Sequence, residues 1–419
     1  MPFFHRDTIF GPLTFIPVER MHPTLRLVTL LSSAIALGAC ADTRESPSLT
    51  APRDAERSTS GASSPGAVYA MTNDKTVNEI NVFARGADGR LSPMGSFSTG
   101  GQGSGTFENS ANGLILGEQS PNNLNGGNKF LYATNAGSNS ITVFRTVHDG
   151  LELVDVEPSG GDHPISVTVH ANLLYVLNGG KTNCSGGAPT ISGFRIRSGG
   201  ELEPIPGSTR PVSGGSNSGC AQISFTPSGD VLVVTQRQAD VIDTYVVDRG
   251  TGLTSGPIVN QTTGMGPFGF TFTQRGQLLT TENFGAVPLQ GGAASYDVRR
   301  DGTLVPLGPT TRNGRSDTCW IVNTDDGKFA FTTNFQSGDI SSFRVDSDGT
   351  LTLLNPIAAV IGVGASDQTF SGNSKFLYAR NAIEGTISVF EVGKDGSLLR
   401  IQDIVAVPPG GAAIGVAAK

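Results

Sequence analysis

The chain has 419 residues, of which 56 are glycine and only 16% are charged, and its formal net charge is −7. The negative charge and the absence of any lysine- or arginine-rich cluster argue against a nucleic-acid partner. The glycine-rich stretches do not lie between a strand and a helix, so they match neither a phosphate-binding loop nor a dinucleotide fingerprint. We therefore expect no nucleotide cofactor, and no cofactor of another kind.

Residues 1–40 have the pattern of a secretory signal, with Met21 as the more natural start. A basic segment precedes an apolar stretch from Leu27 to Leu37, which is too short to span a bilayer permanently. The stretch ends in Leu-Gly-Ala-Cys at Cys40, which resembles a bacterial lipobox whose cleavage leaves a lipidated cysteine at the new N-terminus. An ordinary signal with a chance cysteine is the alternative. We expect export and attachment to the cell envelope through a lipid on Cys40.

Residues 41–65 follow the predicted cleavage site and are rich in Ser, Thr, Pro and charged residues. Such a composition cannot bury a hydrophobic core, so this segment is predicted to be a disordered, flexible tether. The lipid would then be the only contact with the membrane, and residues 66–419 would form the folded domain.

From residue 66 onward one pattern recurs seven times, at a period of roughly 40 to 50 residues. Each copy has an apolar strand ending in small polar residues, a second strand with one aromatic residue, and a hairpin that mostly contains Asp-Gly. Glycine readily adopts the positive φ that such hairpins require. The apolar strands begin at Val68, Phe130, Leu173, Val231, Leu278, Phe329 and Phe376. The pattern predicts an all-β, seven-bladed β-propeller.

The two ends of the repeat region are complementary. Internal copies have a further short strand before the apolar one, such as the strand from Ile165, but the first copy lacks it. The segment from Gly411 to Ala417 follows the last hairpin and occupies that register. Because an open sheet edge would leave unpaired backbone groups, we expect this C-terminal strand to complete the first blade. A frayed tail is the alternative, and the closed ring is expected to be a monomer.

Three cysteines remain after Cys40. In an oxidising compartment one disulfide and one free thiol are expected, and Cys184 with Cys220 is the favoured pair because both lie around the junction of two blades. Cys319 is expected to be a buried small hydrophobe.

Several stretches resemble a known family. The sequences FLYATNAGSNSITVF from Phe130 and SKFLYARNAIEGTISVFEVGKDGSL from Ser374 are similar to the blades of the seven-bladed propeller lactonases, which include 6-phosphogluconolactonase and carboxymuconate-cyclase-like proteins. They resemble YVTN propeller repeats more loosely. The resemblance covers residues 66–419. It implies lactone hydrolysis in a cleft at one mouth of the ring, where a His, two Arg and a Glu bind an acidic lactone and move a proton.

Most of that set is absent here. The window that should hold the His reads Gly-Cys-Ala-Gln and ends at Gln222, and the two Arg positions are occupied by Phe268 and Phe335. Only the Glu is retained, as Glu282, which is therefore the candidate catalytic base. Losing two guanidinium groups would greatly weaken the binding of an anionic lactone.

The corresponding mouth is predicted to be neutral and aromatic. Its candidate ligand-binding residues occupy comparable positions in four blades: Gln222, Phe268, Trp320 and Gln368. Such a surface suits a neutral ligand, for example a sugar or a short peptide, but the same residues could instead plug the channel. Two function classes stay open, an envelope lactonase acting on a small molecule and a non-catalytic propeller that binds a ligand or an envelope protein.

No metal site is expected. An Asn or Gln recurs at the end of the apolar strands, where hydrogen bonding to the residue's own turn is its usual role. His163 and His170 are separated by seven residues of strand-like sequence, which points them to opposite faces and argues against joint metal ligation.

Overall fold

The fold was analysed in a computed structural model that describes residues 66–117, 130–409 and 415–419. The predicted signal, Cys40, the tether and residues 411–414 of the predicted closing strand lie outside the described residues. Within the described ranges, no helix is long and apolar enough to cross a membrane.

Seven antiparallel sheets follow one another along the chain, each built on four strands, which confirms the predicted seven-bladed propeller. Blade 1 begins with β1 (Gly66–Met71), β2 (Glu79–Arg85) and β3 (Leu91–Ser98). Blade 2 contains β4 (Leu114–Leu116), β5 (Phe130–Asn135), β6 (Ser140–Val147) and β7 (Gly150–Pro158). Blade 3 contains β8 (Pro164–His170), β9 (Leu173–Asn178), β10 (Thr190–Ile196), β11 (Leu202–Pro204) and β12 (Arg210–Pro211).

The remaining blades repeat this order. Blade 4 contains β13 (Cys220–Phe225), β14 (Val231–Gln236), β15 (Val241–Val247) and β16 (Thr254–Gln261). Blade 5 contains β17 (Pro267–Phe272), β18 (Leu278–Glu282), β19 (Gly292–Val298), β20 (Leu304–Pro306) and β21 (Thr311–Arg312). Blade 6 contains β22 (Thr318–Asn323), β23 (Phe329–Asn334), β24 (Asp339–Val345) and β25 (Leu351–Val360). Blade 7 contains β26 (Ala365–Phe370), β27 (Phe376–Asn381), β28 (Thr386–Val392) and β29 (Leu398–Val405). Short 3-10 turns lie at Thr182–Cys184, Gly215–Asn217 and Phe284–Ala286.

The hydrophobic core is divided among the interfaces between neighbouring blades. For example, Tyr132 and Val143 of blade 2 pack with Val167 and Val176 of blade 3. Each blade has two apolar faces and buries both only because it lies between two others, so the cores repeat around the ring.

The Asp-Gly hairpins adopt the predicted conformation. Gly89 has φ +83°, and a Cβ at this position would lie 2.3 Å from Cδ1 of Phe376 in blade 7. The glycine is therefore required both for the turn and for the close approach of the next blade.

The C-terminus closes the ring as predicted. Strand β30 (Val416–Ala418) pairs antiparallel with β1, with Tyr69 opposite Ala417. The described strand ends one residue beyond the predicted Ala417, while residues 411–414 are outside the described residues.

Two buried charged side chains of blade 7 hold this closing strand. The Val416 amide donates to Asp367 Oδ2 at 3.2 Å, and Arg380 Nη1 donates to the carbonyls of Gly415 at 2.9 Å and Met71 at 3.2 Å. Burial raises the pKa of Asp367 to about 6 and lowers the pKa of Arg380 to about 10. The C-terminal strand, blade 1 and blade 7 are thus joined by charge-assisted hydrogen bonds.

The first strands of neighbouring blades contact one another, so they line the central channel. We call the end of the channel at which these strands begin the upper mouth, and the end at which they finish the lower mouth.

Candidate functional site

The loop between blades 1 and 2 crosses the centre of the ring at the upper mouth. We call residues 104–113 the strap. The Ala111 amide donates to the Ala221 carbonyl of blade 4 at 3.1 Å, Ser110 Oγ donates to the Ile165 carbonyl of blade 3 at 3.1 Å, and Trp320 Nε1 of blade 6 donates to the Ser110 carbonyl at 3.0 Å. The strap is therefore hydrogen-bonded to three other blades.

An aromatic cluster lies beneath the strap. Phe268 and Trp320, both predicted to bind ligand, are 0% and 2% exposed, and their ring centroids are 5.0 Å apart in an edge-to-face arrangement. Phe107 of the strap packs on Trp320 and lies 5.2 Å from Phe335. Edge-to-face contacts of this kind stabilise a close-packed plug, which matches the alternative that these residues fill the channel.

The two predicted ligand-binding glutamines contact the backbone of neighbouring blades. Gln222 donates to the Phe270 carbonyl at 2.8 Å and accepts from the Phe270 amide at 2.9 Å. Gln368 donates to the Phe331 carbonyl at 2.7 Å. Both side chains are buried, and these bonds join adjacent blades. A role for the four residues in ligand binding stays a prediction.

Glu282 ends strand β18 and is fully buried. Its Oε1 accepts from the Gly264 amide at 3.0 Å and lies 3.4 Å from the hydroxyls of Thr263 and Tyr296, while Oε2 accepts from the Thr310 hydroxyl. Burial raises the pKa of the carboxyl, against the opposing effect of these donors. This carboxylate ties the loop before blade 5 and the connection between β20 and β21 to β18.

A carboxylate and an imidazole form a pair at the upper mouth. Glu108 of the strap accepts from Ser104 Oγ, and both of its oxygens lie 3.0 Å from Nε2 of His163 in the loop before β8. The Glu108 side chain is buried, whereas the His163 side chain remains 13% exposed. A carboxylate bonded to one imidazole nitrogen fixes the ring orientation and leaves Nδ1 as the nitrogen that can act as a base.

A guanidinium lies against the next residue of the strap. With its amide turned so that the oxygen faces the guanidinium, Asn109 accepts from Nη1 and Nη2 of Arg237 at 3.0 and 3.2 Å. Arg237 directly follows β14, at the end of the strand that faces the upper mouth. Its positive charge also reaches Cys319, whose pKa it lowers against a larger rise from burial and from Asp317. Two consecutive strap residues thus contact ionisable side chains of the ring, Glu108 an imidazole and Asn109 a guanidinium.

The cysteines are placed as follows. Cys184 and Cys220 are joined by a disulfide with a Cα–Cα distance of 5.4 Å, and Cys319 is free and buried. Burial holds the pKa of Cys319 well above its usual value, so the thiolate needed for nucleophilic attack is disfavoured.

Across the described ranges, no group of three His, Cys, Asp or Glu side chains is placed to hold a metal ion. His163 precedes β8 and His170 ends it, so the two imidazoles lie at opposite ends of a strand. The recurring amides bond within the protein, as Asn135 does with Ser140 at 3.1 Å and Thr142 at 2.8 Å.

Glu108 and Arg237 were not identified from the sequence as site residues. One signal was present: the segment between β3 and β4 is long, and long irregular connections in compact domains are often functional. The sequence did not show that this segment turns inward, because its partners are remote along the chain, with Ser110 bonded to Trp320.

Comparisons with known proteins confirm the resemblance to propeller lactonases. A family model described as "Lactonase, 7-bladed beta-propeller" matches residues 282–371. No curated protein matches the chain by sequence.

Solved structures share the fold. A candidate 6-phosphogluconolactonase of Bacteroides fragilis is 19% identical, covers 87% of this chain and 99% of its own, and superposes with a TM-score of 0.61. A periplasmic gluconolactonase of Pseudomonas aeruginosa is 16% identical, covers 83% of this chain and 98% of its own, and gives a TM-score of 0.63. A protein from Lactobacillus plantarum gives 19% identity and a TM-score of 0.63, over 83% of this chain and 98% of its own. At these identities the likeness establishes the fold.

Proposed function

We propose that this propeller hydrolyses a neutral lactone of a sugar acid or a similar small molecule at its upper mouth. The observation that carries the proposal is the Glu108–His163 pair, with Arg237 on the adjacent strap residue. An imidazole held by a carboxylate can act as a general base, and a cation bound to the adjacent strap residue can stabilise the developing oxyanion, as ester and lactone hydrolysis needs.

The proposed reaction has two steps. His163 takes a proton from water while the oxygen attacks the lactone carbonyl, and Glu108 stabilises the imidazolium that forms. The guanidinium of Arg237 stabilises the negative oxygen of the tetrahedral intermediate. The ring C–O bond then breaks and the leaving alkoxide takes the proton from His163, which gives a hydroxy acid and consumes one water.

The surroundings favour a neutral substrate over a phosphorylated one. Phe107 and Phe335 are half-buried and offer an apolar surface to the carbon face of a ring. The carboxylates of Glu108 and Asp317 would repel a second anionic group, and Arg237 is a single cation where the resemblance implied two.

Glu282 is the alternative base, because it is the retained family residue and its raised pKa suits proton transfer closer to neutral pH. For Glu282 to act as a base, the loop around Gly264 would have to move, because both carboxylate oxygens already accept hydrogen bonds from Gly264 and Thr310.

A non-catalytic binding propeller is the second candidate function. It is supported by the aromatic plug under the strap and by Phe268 and Phe335 at the positions where the family has arginines. Its partner would be a small ligand or an envelope protein.

We further propose that the protein is exported and anchored through Cys40 after cleavage immediately before this residue, as a monomer on the tether of residues 41–65. The pattern of residues 1–40 supports export, and the Cys184–Cys220 disulfide fits an oxidising compartment.

The test is a hydrolysis screen with the purified 66–419 ring. Proton release is followed on γ- and δ-lactones, with glucono-δ-lactone compared with its 6-phosphate and each rate corrected for spontaneous hydrolysis. We expect turnover of the neutral lactone to exceed that of the phosphorylated one. Loss of turnover in Glu282→Gln with normal rates in Glu108→Gln would transfer the base to Glu282. Absence of turnover across the panel would favour the binding function.

A further inference from the structure

A second recess lies at the lower mouth, at the end of the channel opposite the strap. It is a cavity of about 990 Å³ between the ends of the first strands of blades 3 to 7. Its lining includes neither the strap nor Gln222, Phe268, Trp320 or Gln368. Ligand sites for small molecules commonly have volumes of roughly 300–1,000 Å³, so the recess is large enough for a monosaccharide and its water.

The wall of the recess is rich in neutral hydrogen-bonding groups. Ser224, Thr271, Asn323 and Thr369 come from four successive blades, and all four are only partly buried. Thr271 donates to Asn323 Oδ1 at 2.7 Å, so two of these groups are already oriented by each other. The half-buried ring of Phe272 lines the same wall and supplies an apolar face. Hydroxyl and amide groups beside an aromatic ring suit a polyhydroxylated ligand.

The rim of the recess is positively charged although the whole chain is acidic. Arg275, Arg299 and Arg300 lie there with two carboxylates, Asp230 and Asp325. Asp230 is paired with Arg249 at 3.2 Å. Arg275 Nη1 donates to the Ser347 carbonyl. Among the described residues, no carboxylate lies within ion-pair distance of the three rim arginines. Guanidinium groups bind carboxylates strongly and with defined geometry.

From this combination we propose that the lower mouth binds a sugar carboxylate, an aldonate or a uronate. The rim arginines bind the carboxylate, and the neutral wall hydrogen-bonds the hydroxyl groups. This site is separate from the proposed lactonase site and does not depend on it.

Isothermal titration calorimetry of the 66–419 ring with sodium gluconate tests the proposal. Glucose tests binding of the hydroxyl groups alone, and inorganic phosphate tests binding of an anion alone. We expect saturable gluconate binding with a Kd below about 1 mM, and binding of glucose and phosphate at least tenfold weaker. Glucose binding as tight as that of gluconate would show that the arginines do not contribute. Phosphate binding as tight as that of gluconate would show that the site binds anions without recognising a sugar. Either result, or the absence of gluconate binding, overturns the proposal.

Variants locate the site. The triple variant Arg275→Ala/Arg299→Ala/Arg300→Ala should weaken gluconate binding at least tenfold, at an unchanged melting temperature because these side chains lie at the rim. A matched triple variant of exposed arginines outside the recess, Arg90→Ala/Arg197→Ala/Arg344→Ala, removes the same charge and should bind as the parent does. Arg237→Ala, at the upper mouth, tests whether the gluconate signal comes instead from product binding at the proposed lactonase site. Loss of binding in Arg237→Ala and its retention in the rim variant would place the sugar acid at the upper mouth and refute the proposal.

Discussion

Ring closure by the C-terminal strand makes a quantitative prediction about stability. Deleting residues 415–419 removes β30 from blade 1 and exposes the edge of β1. Losing the buried Val416 side chain costs about 1.5–3 kcal/mol. Asp367 and Arg380 would lose their hydrogen bonds to Val416 and Gly415, and each hydrogen bond to a charged group contributes about 1.5–3 kcal/mol.

The expected loss is therefore about 5–9 kcal/mol, a large part of the roughly 5–15 kcal/mol that holds a domain folded. Differential scanning calorimetry of the 66–419 ring and its truncated form should show a melting temperature lower by on the order of 10 °C or more, or no cooperative transition. Leu399→Ala is the control, because this side chain is 64% exposed on the outer strand β29 and should change stability by less than about 0.5 kcal/mol. A truncated ring that melts within about 2 °C of the parent would refute the closure argument.

Three further predictions follow from the buried acid, the disulfide and the anchor. The pKa of Asp367 is raised to about 6, so the folded state holds this proton more tightly than the unfolded chain, and stability should fall as pH rises from about 4 to 6. Urea titrations across this range should show a loss in the free energy of unfolding on the order of 3 kcal/mol. A similar loss in Asp367→Asn would assign the pH dependence to another group. Cys184→Ser should lower the free energy of unfolding by about 2–5 kcal/mol in urea titrations, because it removes the disulfide. The parent protein under reductant should lose the same amount, and an unchanged urea midpoint in Cys184→Ser would contradict the prediction. Cys40→Ala should release the protein from the membrane fraction or leave it unprocessed, and normal fractionation would contradict the lipoprotein prediction.

The blades could be predicted because their signals are local. The Asp-Gly turns fix the hairpins, and the apolar run from Phe376 to Tyr378 identifies a strand buried on both faces. The missing first strand of blade 1 identified its C-terminal replacement, since a closed ring requires equal blades.

The upper mouth was less predictable because its contacts are made between blades. The alternation of side chains along β13 assigns Gln222 to one face of its sheet. It does not show that the Phe270 amide and carbonyl of the next blade lie within hydrogen-bond distance. The strap has no periodic pattern, and its position depends on Ser110 meeting Trp320, which is 210 residues away along the chain. Pairs such as Glu108 and His163 therefore emerge only in three dimensions.

The most direct test of the proposed activity is the rate of glucono-δ-lactone hydrolysis in two histidine variants. His163→Gln removes the proposed base, whereas His148→Gln changes a histidine that is 81% exposed on a peripheral hairpin. His163→Gln should lower kcat by about 100-fold or more, while His148→Gln should match the parent. Parent-like turnover in His163→Gln would contradict it.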